Sequence, residues 1–314
     1  MVTVFNTVPR PLQARRLRFP AHGLRYSCRI RRMIIQHDLH SHSLASDGTL
    51  APGALLRAAH GAGVQVLALT DHDTTEGLAE AEQCATELGV QLVPGVEISV
   101  TWQAQTIHVL GLGIDRGSAA LQKGLRELRE FRNWRAGEIG LRLARAGIGG
   151  ALEGARVFSS GSIVSRTHFA RFLVEQGYAG SMREVFKRFL VHNKPGHVPG
   201  EWAALEDALG WIRAAGGMAV IAHPARYGMT SSKLRRMIGE FRDAGGLGME
   251  VVSGSHNRDN VTAMAALCRN ERLLASCGSD YHGPENCWIR LGELPPLPAG
   301  CTPVWESEHW PSLQ

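Results

Sequence analysis

The 314-residue chain has no apolar run approaching the roughly 18–20 residues that a membrane span requires, so no membrane association is expected. Its six cysteines (Cys28, Cys84, Cys268, Cys277, Cys287 and Cys301) are scattered and form no Cys-x-x-Cys pair. That argues against a zinc ribbon or a disulfide scaffold and for a reducing compartment, so a cytoplasmic location is expected. There is no Gly-x-x-x-x-Gly-Lys-Ser/Thr loop, which excludes a P-loop NTPase as far as sequence can, and no serine or cysteine nucleophile motif is evident. Internal repeats and low-complexity tracts are also missing.

Acidic residues are absent from the first 32 positions, which hold eight arginines, so the net charge of +5 conceals a remainder of −3. Met33 directly precedes a convincing strand, and residues 1–32 are read as a basic extension, disordered or non-native, although a targeting peptide is an alternative. Within residues 121–197, fourteen Lys/Arg face six Asp/Glu, a net of +8, which leaves −11 for everything else from Met33 onward. An acidic body suits cation binding, and a basic segment beside it suits an anionic ligand.

What is present from Met33 is a repeated rhythm of short apolar strand, turn and helix. Strands are expected at 33–39, 64–70, 90–99, 106–114, 217–223, 247–253 and 272–279. "LAPGALLRAAHGAG" has Pro52 near a helix start and Gly61 and Gly63 near its end. "TTEGLAEAEQCATELG" and "EWAALEDALGWIRAAGG" read the same way. Near-continuous apolar strands between helices indicate a parallel sheet buried on both faces, and seven of them suggest a closed or nearly closed α/β barrel. Residues 121–197 break the rhythm. Leu121, Leu125, Leu128, Phe131, Ile139 and Leu143 lie near one stripe of a long helix, and "SRTHFARFLVEQG" and "SMREVFKRFLVHN" form two more. The expected organisation is a barrel from 33–120 and 198–305, a helical insertion at 121–197, and a tail at 306–314.

Strand after strand ends in a metal-capable side chain. The first runs into His40 and His42, with Asp47 beyond. The second runs into Asp71-His72-Asp73. The third carries Glu97, the fourth His108, the fifth ends at His223, and the seventh at Asp280 and His282. In a parallel barrel such ends converge on one mouth. Taken singly, each would pass as a hydrogen-bonded structural residue, but nine at corresponding places would crowd like charges and desolvated imidazoles together. Imidazole and carboxylate donors without thiolate suit Zn, Mn or Fe.

The motifs "DLHSHSLASDG", "LTDHDT", "PGVEIS", "HVLGLG", "AHPAR" and "GSDYHG", in this order, resemble those of the PHP superfamily, the polymerase and histidinol phosphatase metallohydrolases. The resemblance implies a distorted seven-stranded (β/α) barrel, TIM-like, with three divalent ions at its mouth, manganese first and zinc or iron as the other options. Carried across, His40, His42, Glu97 and Asp280 would hold the first ion. Glu97 would bridge to a second held with His108 and His223, and Asp47, His72 and His282 would hold the third. Attack on phosphorus by a metal-bound hydroxide follows, with Asp71, Asp73 and His37 as orienting or proton-shuttling neighbours.

The insertion adds phosphate-binding chemistry, since arginine meets phosphate oxygens through a planar fork. The long helix, "SRTHFARFLVEQG", "FLVHNKPGHVP" and "PVW" (303–305) resemble the subgroup of 3′,5′-nucleoside bisphosphate phosphatases and 5′→3′ exoribonuclease AM. In that subgroup the helical insertion caps the metal site. The match implies Arg135, Arg166 and Lys194 as phosphate contacts, with Arg132, His168, Arg171 and His197 as weaker ones; subgroup members carry an aromatic ring where this chain has His197. The expected partner is a nucleotide or short RNA substrate, with no obligate protein partner. Two alternatives stand beside this reading. One is a phosphatase of histidinol phosphate or another small monoester, although a cationic substrate would favour acids in this basic segment. The other is a non-catalytic nucleic-acid or metal-binding module.

Overall fold

The structure is a computed structural model that describes residues 36–286 and 290–310. Expectations for residues 1–32, for the start of the first strand, for Cys28 and Cys287 and for the end of the tail lie outside the described residues.

Seven strands form one sheet in chain order: β1 (His37–Asp38), β2 (Val66–Leu69), β3 (Gln91–Trp102), β4 (Gln105–Leu112), β5 (Met218–Ile221), β6 (Gly248–Ser253) and β7 (Leu274–Gly278). Its edges approach each other. Leu39 N donates to Cys277 O and Asp280 N to His40 O, both at 2.9 Å, so the sheet is a nearly closed barrel. All seven expected strands are there, but the expected parallel sheet needs correction. β4 runs antiparallel to both β3 and β5. Parallel neighbours need a crossover of about a dozen residues or more, and only Gln103 and Ala104 separate β3 from β4. Both adopt positive φ (47° and 61°), the backbone of a tight two-residue hairpin.

Side chains alternate between the barrel interior and its outer face. Val66, Ala68, Val93, Leu110, Leu112, Met218 and Val220 fill the interior, closed by Val304 of the "PVW" segment. Leu67, Leu69, Val96, Ile98, Ile107, Val109 and Ile221 face the helices. Further along the strands the inward positions change character: Glu97, Ser99, His108 and Glu250 replace the aliphatics, all but His108 fully buried. The apolar end therefore anchors the fold, and the polar end carries the site.

Helices α1 (Pro52–Gly61) and α2 (Leu78–Leu88) follow β1 and β2. Pro52 sits at the first position of α1, where its missing N–H costs nothing. Gly89 ends α2 in the left-handed conformation. Between β4 and β5 come α3 (Ala119–Arg145), α4 (Ala151–Val157), α5 (Arg166–Glu175) and α6 (Met182–Val185), which runs on into a π-helical turn, Phe186–Leu190. α3 is 27 residues long and belongs to two cores. Leu121, Leu125 and Leu128 pack in the barrel's outer core. Ala136, Ile139 and Leu143 pack with Ala151, Phe169, Leu173 and Leu190 of the inserted helices. Each such leucine contributes about 1.5–3 kcal/mol by burial, so the stripe both forms the helix and joins the two layers. α7 (Leu205–Ala214), α8 (Ser231–Asp243) and α9 (Arg258–Asn270) complete the outer layer. A Cβ on Gly124 would lie 2.4 Å from the Trp211 ring, so the approach of α3 to α7 requires glycine there.

Candidate metal centre and anion cavity

The loop after β1 is held by a carboxylate from the loop after β2. Asp71 accepts from Ser43 N (2.7 Å), Ser43 Oγ (2.6 Å) and Ser46 Oγ (2.6 Å), which fixes the turn between His42 and Asp47. Gly48 closes that turn, where a Cβ would lie 2.4 Å from His42 O. Asp38 accepts from Ser279 N at 2.8 Å and ties the His40 segment to the chain leading to Asp280. Its own burial pushes its carboxyl up to about 6. Three positions near the cluster sit at positive φ, Asp73 (52°), His223 (30°) and Asp280 (55°), conformations that cost about 1–3 kcal/mol and gather at functional sites.

The nine expected donors converge. His40 Nε2 and His42 Nε2 lie 3.0 Å apart. Glu97 Oε2 is 3.4 and 3.3 Å from them, and Asp280 Oδ1 is 3.4 and 3.2 Å from them. Donors this close could share one cation at the N/O bond length of about 2 Å found in zinc-type sites. The other oxygen of Glu97 turns the opposite way, 2.9 Å from His108 Nδ1 and 3.2 Å from His223 Nε2. His282 Nε2 and His72 Nε2 face Asp47 Oδ1 at 3.3 and 3.9 Å. Three sets have donor atoms within 4.8 Å of one another: His42, Asp47, His72 and His282; His40, His42 and Glu97; and His72, Glu97 and His108. Both His42 and His72 thus face two sets, because His72 Nδ1 also lies 2.7 Å from Glu97 Oε2.

These donors fit cations. Among the described residues Asp47 Oδ1, Glu97 Oε2, His72 Nδ1 and His108 Nδ1 are buried close to one another but not in hydrogen-bond geometry, an arrangement that is costly unless a cation faces them. Burial opposes charge on all three carboxylates. Even so, the surrounding imidazoles hold Asp47, Glu97 and Asp280 well below the usual carboxylate range. The imidazoles cannot all be charged together. Burial and the neighbouring His282 and His72 push His42 down to about 3, and burial pushes His108 down to about 4. His282 is raised to about 9, where Asp47 and Asp280 outweigh the effect of burial.

β4 explains how His108 joins the set. It stands not at a strand's C-terminal end, where a parallel barrel gathers such residues, but opposite Ser99 in the first half of β4, which starts at the mouth because the strand is reversed. Glu97 likewise sits mid-strand, five residues before the end of β3.

Above the donors lies a cavity of about 900 Å³, lined by Asp47, His72, His108, His223, Asp280 and His282 and also by Arg132, Arg135, Arg142, Arg166 and Arg226. Arg132 is anchored by Asp73 (Nε to Oδ2, 2.6 Å), and Arg135 donates twice to Val198 O (3.0 and 2.8 Å). Arg142 donates to His197 O. Arg226 donates to Asp280 Oδ2 at 2.9 Å. Arg166 has no hydrogen bond or ion pair among the described residues, only the Phe186 ring 5.7 Å away. Burial, with Arg132 and Arg226 next, lowers its pKa, and burial with Arg166 and Arg132 pushes Arg135 down to about 9. Crowded, largely desolvated guanidinium groups, with Arg135 buried and Arg166 half-buried, favour an anion between them.

Several expected residues stand elsewhere. Lys194 is exposed and does not line the cavity, since the loop that carries it turns outward before His197 returns to the rim. His168 completes a capping box for α5, its Nδ1 accepting from Ser165 N at 3.1 Å. Arg171 donates to the Asp47 carbonyl at 2.9 Å and so supports a donor loop instead of facing the cavity. His37, three residues before the cluster, lies flat on Trp305 (centroids 3.9 Å apart, planes 5°). Asp71 and Asp73 hold loops and Arg132 as described. Sequence reasoning missed Arg142, Arg226 and Glu250. Glu250 was detectable as the single charge in "GMEVVS", a strand buried at every position.

The PHP domain family model matches residues 38–242. A 3′,5′-nucleoside bisphosphate phosphatase of Chromobacterium violaceum is 47% identical over 269 residues, covering 85% of this chain and 94% of its own length. The 5′-3′ exoribonuclease Rnm of Escherichia coli K12 is 45% identical, covering 86% of this chain and 92% of its own. Among solved structures, a Chromobacterium violaceum amidohydrolase with bound sulfate is similar at 46% identity with a TM-score of 0.84, over 86% of this chain and 95% of that one.

Proposed function

The chain belongs to the PHP domain family, and from that membership we propose that it is a metal-dependent phosphoric ester hydrolase acting on nucleotides. The substrates would be a 3′,5′-nucleoside bisphosphate, losing its 3′-phosphate, a short 5′-phosphorylated RNA trimmed from its 5′ end, or both, as with the relatives' named activities. The observation that carries this reading is Arg166, a half-buried guanidinium with no hydrogen bond or ion pair among the described residues, in the same cavity as six of the nine metal-capable donors. A substrate with two separated anionic groups matches that layout, one group toward the donors and one toward the arginines.

His40, His42, Glu97 and Asp280 would hold the first of three divalent ions, Glu97 with His108 and His223 the second, and Asp47, His72 and His282 the third. Manganese is the expected metal, and zinc or iron suits the same nitrogen and oxygen donors. When bound, such ions supply a more acidic water and neutralise charge on phosphoryl oxygens. The chain's own residues do the rest. Arg166 and Arg135 grip the distal phosphate, and Arg142 and His197 border the same space. Arg132 is held by Asp73 and Ser99 Oγ (2.9 Å) and sets the orientation of α3 over the mouth. The Ser165 hydroxyl donates to Asp47 Oδ2 at 3.2 Å and caps α5, so it is committed to structure and not free to attack. On this reading the helices between β4 and β5 form a cap that excludes water from the reacting centre. No helix among the described residues is long and apolar enough to cross a membrane, and four free cysteines support a reducing, cytoplasmic setting.

A substrate panel tests the reading. Mn²⁺-loaded protein is expected to hydrolyse 3′,5′-adenosine bisphosphate and 5′-phosphorylated oligoribonucleotides in preference to histidinol phosphate and p-nitrophenyl phosphate. Preference for histidinol phosphate would overturn it. Bound metal with no turnover of any ester would identify a binding module instead.

A further inference from the structure

Glu250 lies beneath the donor cluster with no exposed surface and spends both carboxylate oxygens on it. Oε1 is 2.9 Å from His40 Nδ1, and Oε2 accepts from His223 N at 2.5 Å. We propose that Glu250 is a positioning residue for metal binding, one that fixes His40 and His223 together and so couples the two subsites those histidines serve. The proposal rests on the metal-dependent reading above.

A carboxylate can only accept, so His40 must carry its proton on Nδ1. That leaves the Nε2 lone pair directed at His42, Glu97 and Asp280, the tautomer a metal ligand needs. His223 is held differently, through its backbone. Its φ of 30° is unfavourable for a residue with a Cβ, and the Oε2 contact restrains its N–H in that conformation. Its Nε2 then points at Glu97 Oε1 (3.2 Å).

The fold has two features that put Glu250 there. Regular strand alternation turns Glu250 inward while Met249 and Val251 face the outer core. The β6–β7 register shifts directly after it, between Glu250 and Val252. Opposite it, Gly278 leaves the space that the carboxylate and His40 occupy, where a Cβ would be 2.6 Å from Glu250 Oε1 and 2.2 Å from His40 Cβ.

Glu250→Gln preserves size but has one acceptor oxygen where two are needed. If its NH₂ faces His40, the ring must move its proton to Nε2 and lose its donor. If it faces His223, the backbone contact is lost. Glu250→Asp is one methylene shorter and cannot span both partners. Chelated wild-type and variant proteins would be titrated with Mn²⁺ by calorimetry, and the melting temperature of each metal-free form measured alongside. Loss of roughly 10–100-fold in Mn²⁺ affinity in both variants is expected, the range seen when an outer partner of a ligand is removed. In Glu250→Gln this loss should accompany a metal-free melting temperature close to wild type. Wild-type affinity and stoichiometry in both variants, whatever their melting temperatures, would reduce Glu250 to a core residue and overturn the proposal. If wild-type protein takes up no divalent ion, the metal-dependent reading itself fails, and this inference with it.

Discussion

Arg132 and Asp73 form a buried ion pair, Nε to Oδ2 at 2.6 Å, that joins the long inserted helix to the loop carrying His72. Asp73 also accepts from Ser99 N at 2.7 Å, and Arg132 donates to Ser99 Oγ, so the pair is satisfied on both sides. Breaking such a pair from one side leaves an uncompensated charge. Arg132→Leu should therefore destabilise the protein by about 3–5 kcal/mol in a urea titration. A variant that loses activity at unchanged stability would instead make Arg132 a substrate contact alone.

Arg166 should behave in the opposite way. Among the described residues it has no hydrogen bond or ion pair to lose, only the Phe186 ring, and its removal relieves repulsion with Arg132 and Arg226. Arg166→Ala is expected to raise KM for nucleoside bisphosphate by roughly 10–100-fold, the effect of deleting a charged hydrogen bond of about 1.5–3 kcal/mol, with kcat less affected. Its melting temperature should equal or exceed wild type. A fall in stability without a change in KM would assign Arg166 to the fold.

Lys194 lies in the same loop as His197 but is exposed and off the cavity. Lys194→Ala should change KM less than threefold, within the about 0.5 kcal/mol typical of surface substitutions. Its contrast with Arg166 in the same assay separates charges that merely share a basic segment from those that line the cavity.

That contrast also marks how far the sequence could be read. The nine candidate donors were legible because each sits within a recognisable string, and all but Glu97 and His108 follow a strand's C-terminal end, where a barrel brings them together. The reversed strand was not, because an apolar strand reads the same in either direction. The only clue was the short gap around Gln103 and Ala104, too brief for a crossover. Cap arginines could not be sorted either. Helical spacing gives the face of a helix but not whether a loop such as 191–197 folds toward or away from it. Glu250 was passed over because the apolar pattern that revealed β6 also hid its single acid.

His42 belongs to two of the three donor sets, but an imidazole nitrogen has one lone pair and holds one ion. His42→Ala should therefore weaken the first ion's site, where His40, Glu97 and Asp280 remain. Metal analysis of the purified variant should show a drop of about one ion per chain. Activity should fall by more than the roughly 10–100-fold that follows loss of an outer contact. Full metal content with wild-type activity would remove His42 from the donor set.

Removing metal from the wild type tests the electrostatic account of the whole cluster. With no cation present, Asp47 Oδ1 and Glu97 Oε2 are buried facing imidazoles, and His42 and His108 must stay neutral to limit repulsion. The chelated protein should thus be folded but less stable. An ion bound only by the native state adds about 2.7 kcal/mol at a concentration one hundred times its Kd. Mn²⁺ added to chelated protein should therefore raise the melting temperature by roughly 5–10 °C for one site, and further as the others fill. Mg²⁺, a harder ion that favours oxygen donors, should give a smaller rise at equal concentration, since six of the nine donors are imidazoles. Equal stabilisation by both ions would place the bound cation on the carboxylates alone and count against the histidine-rich site.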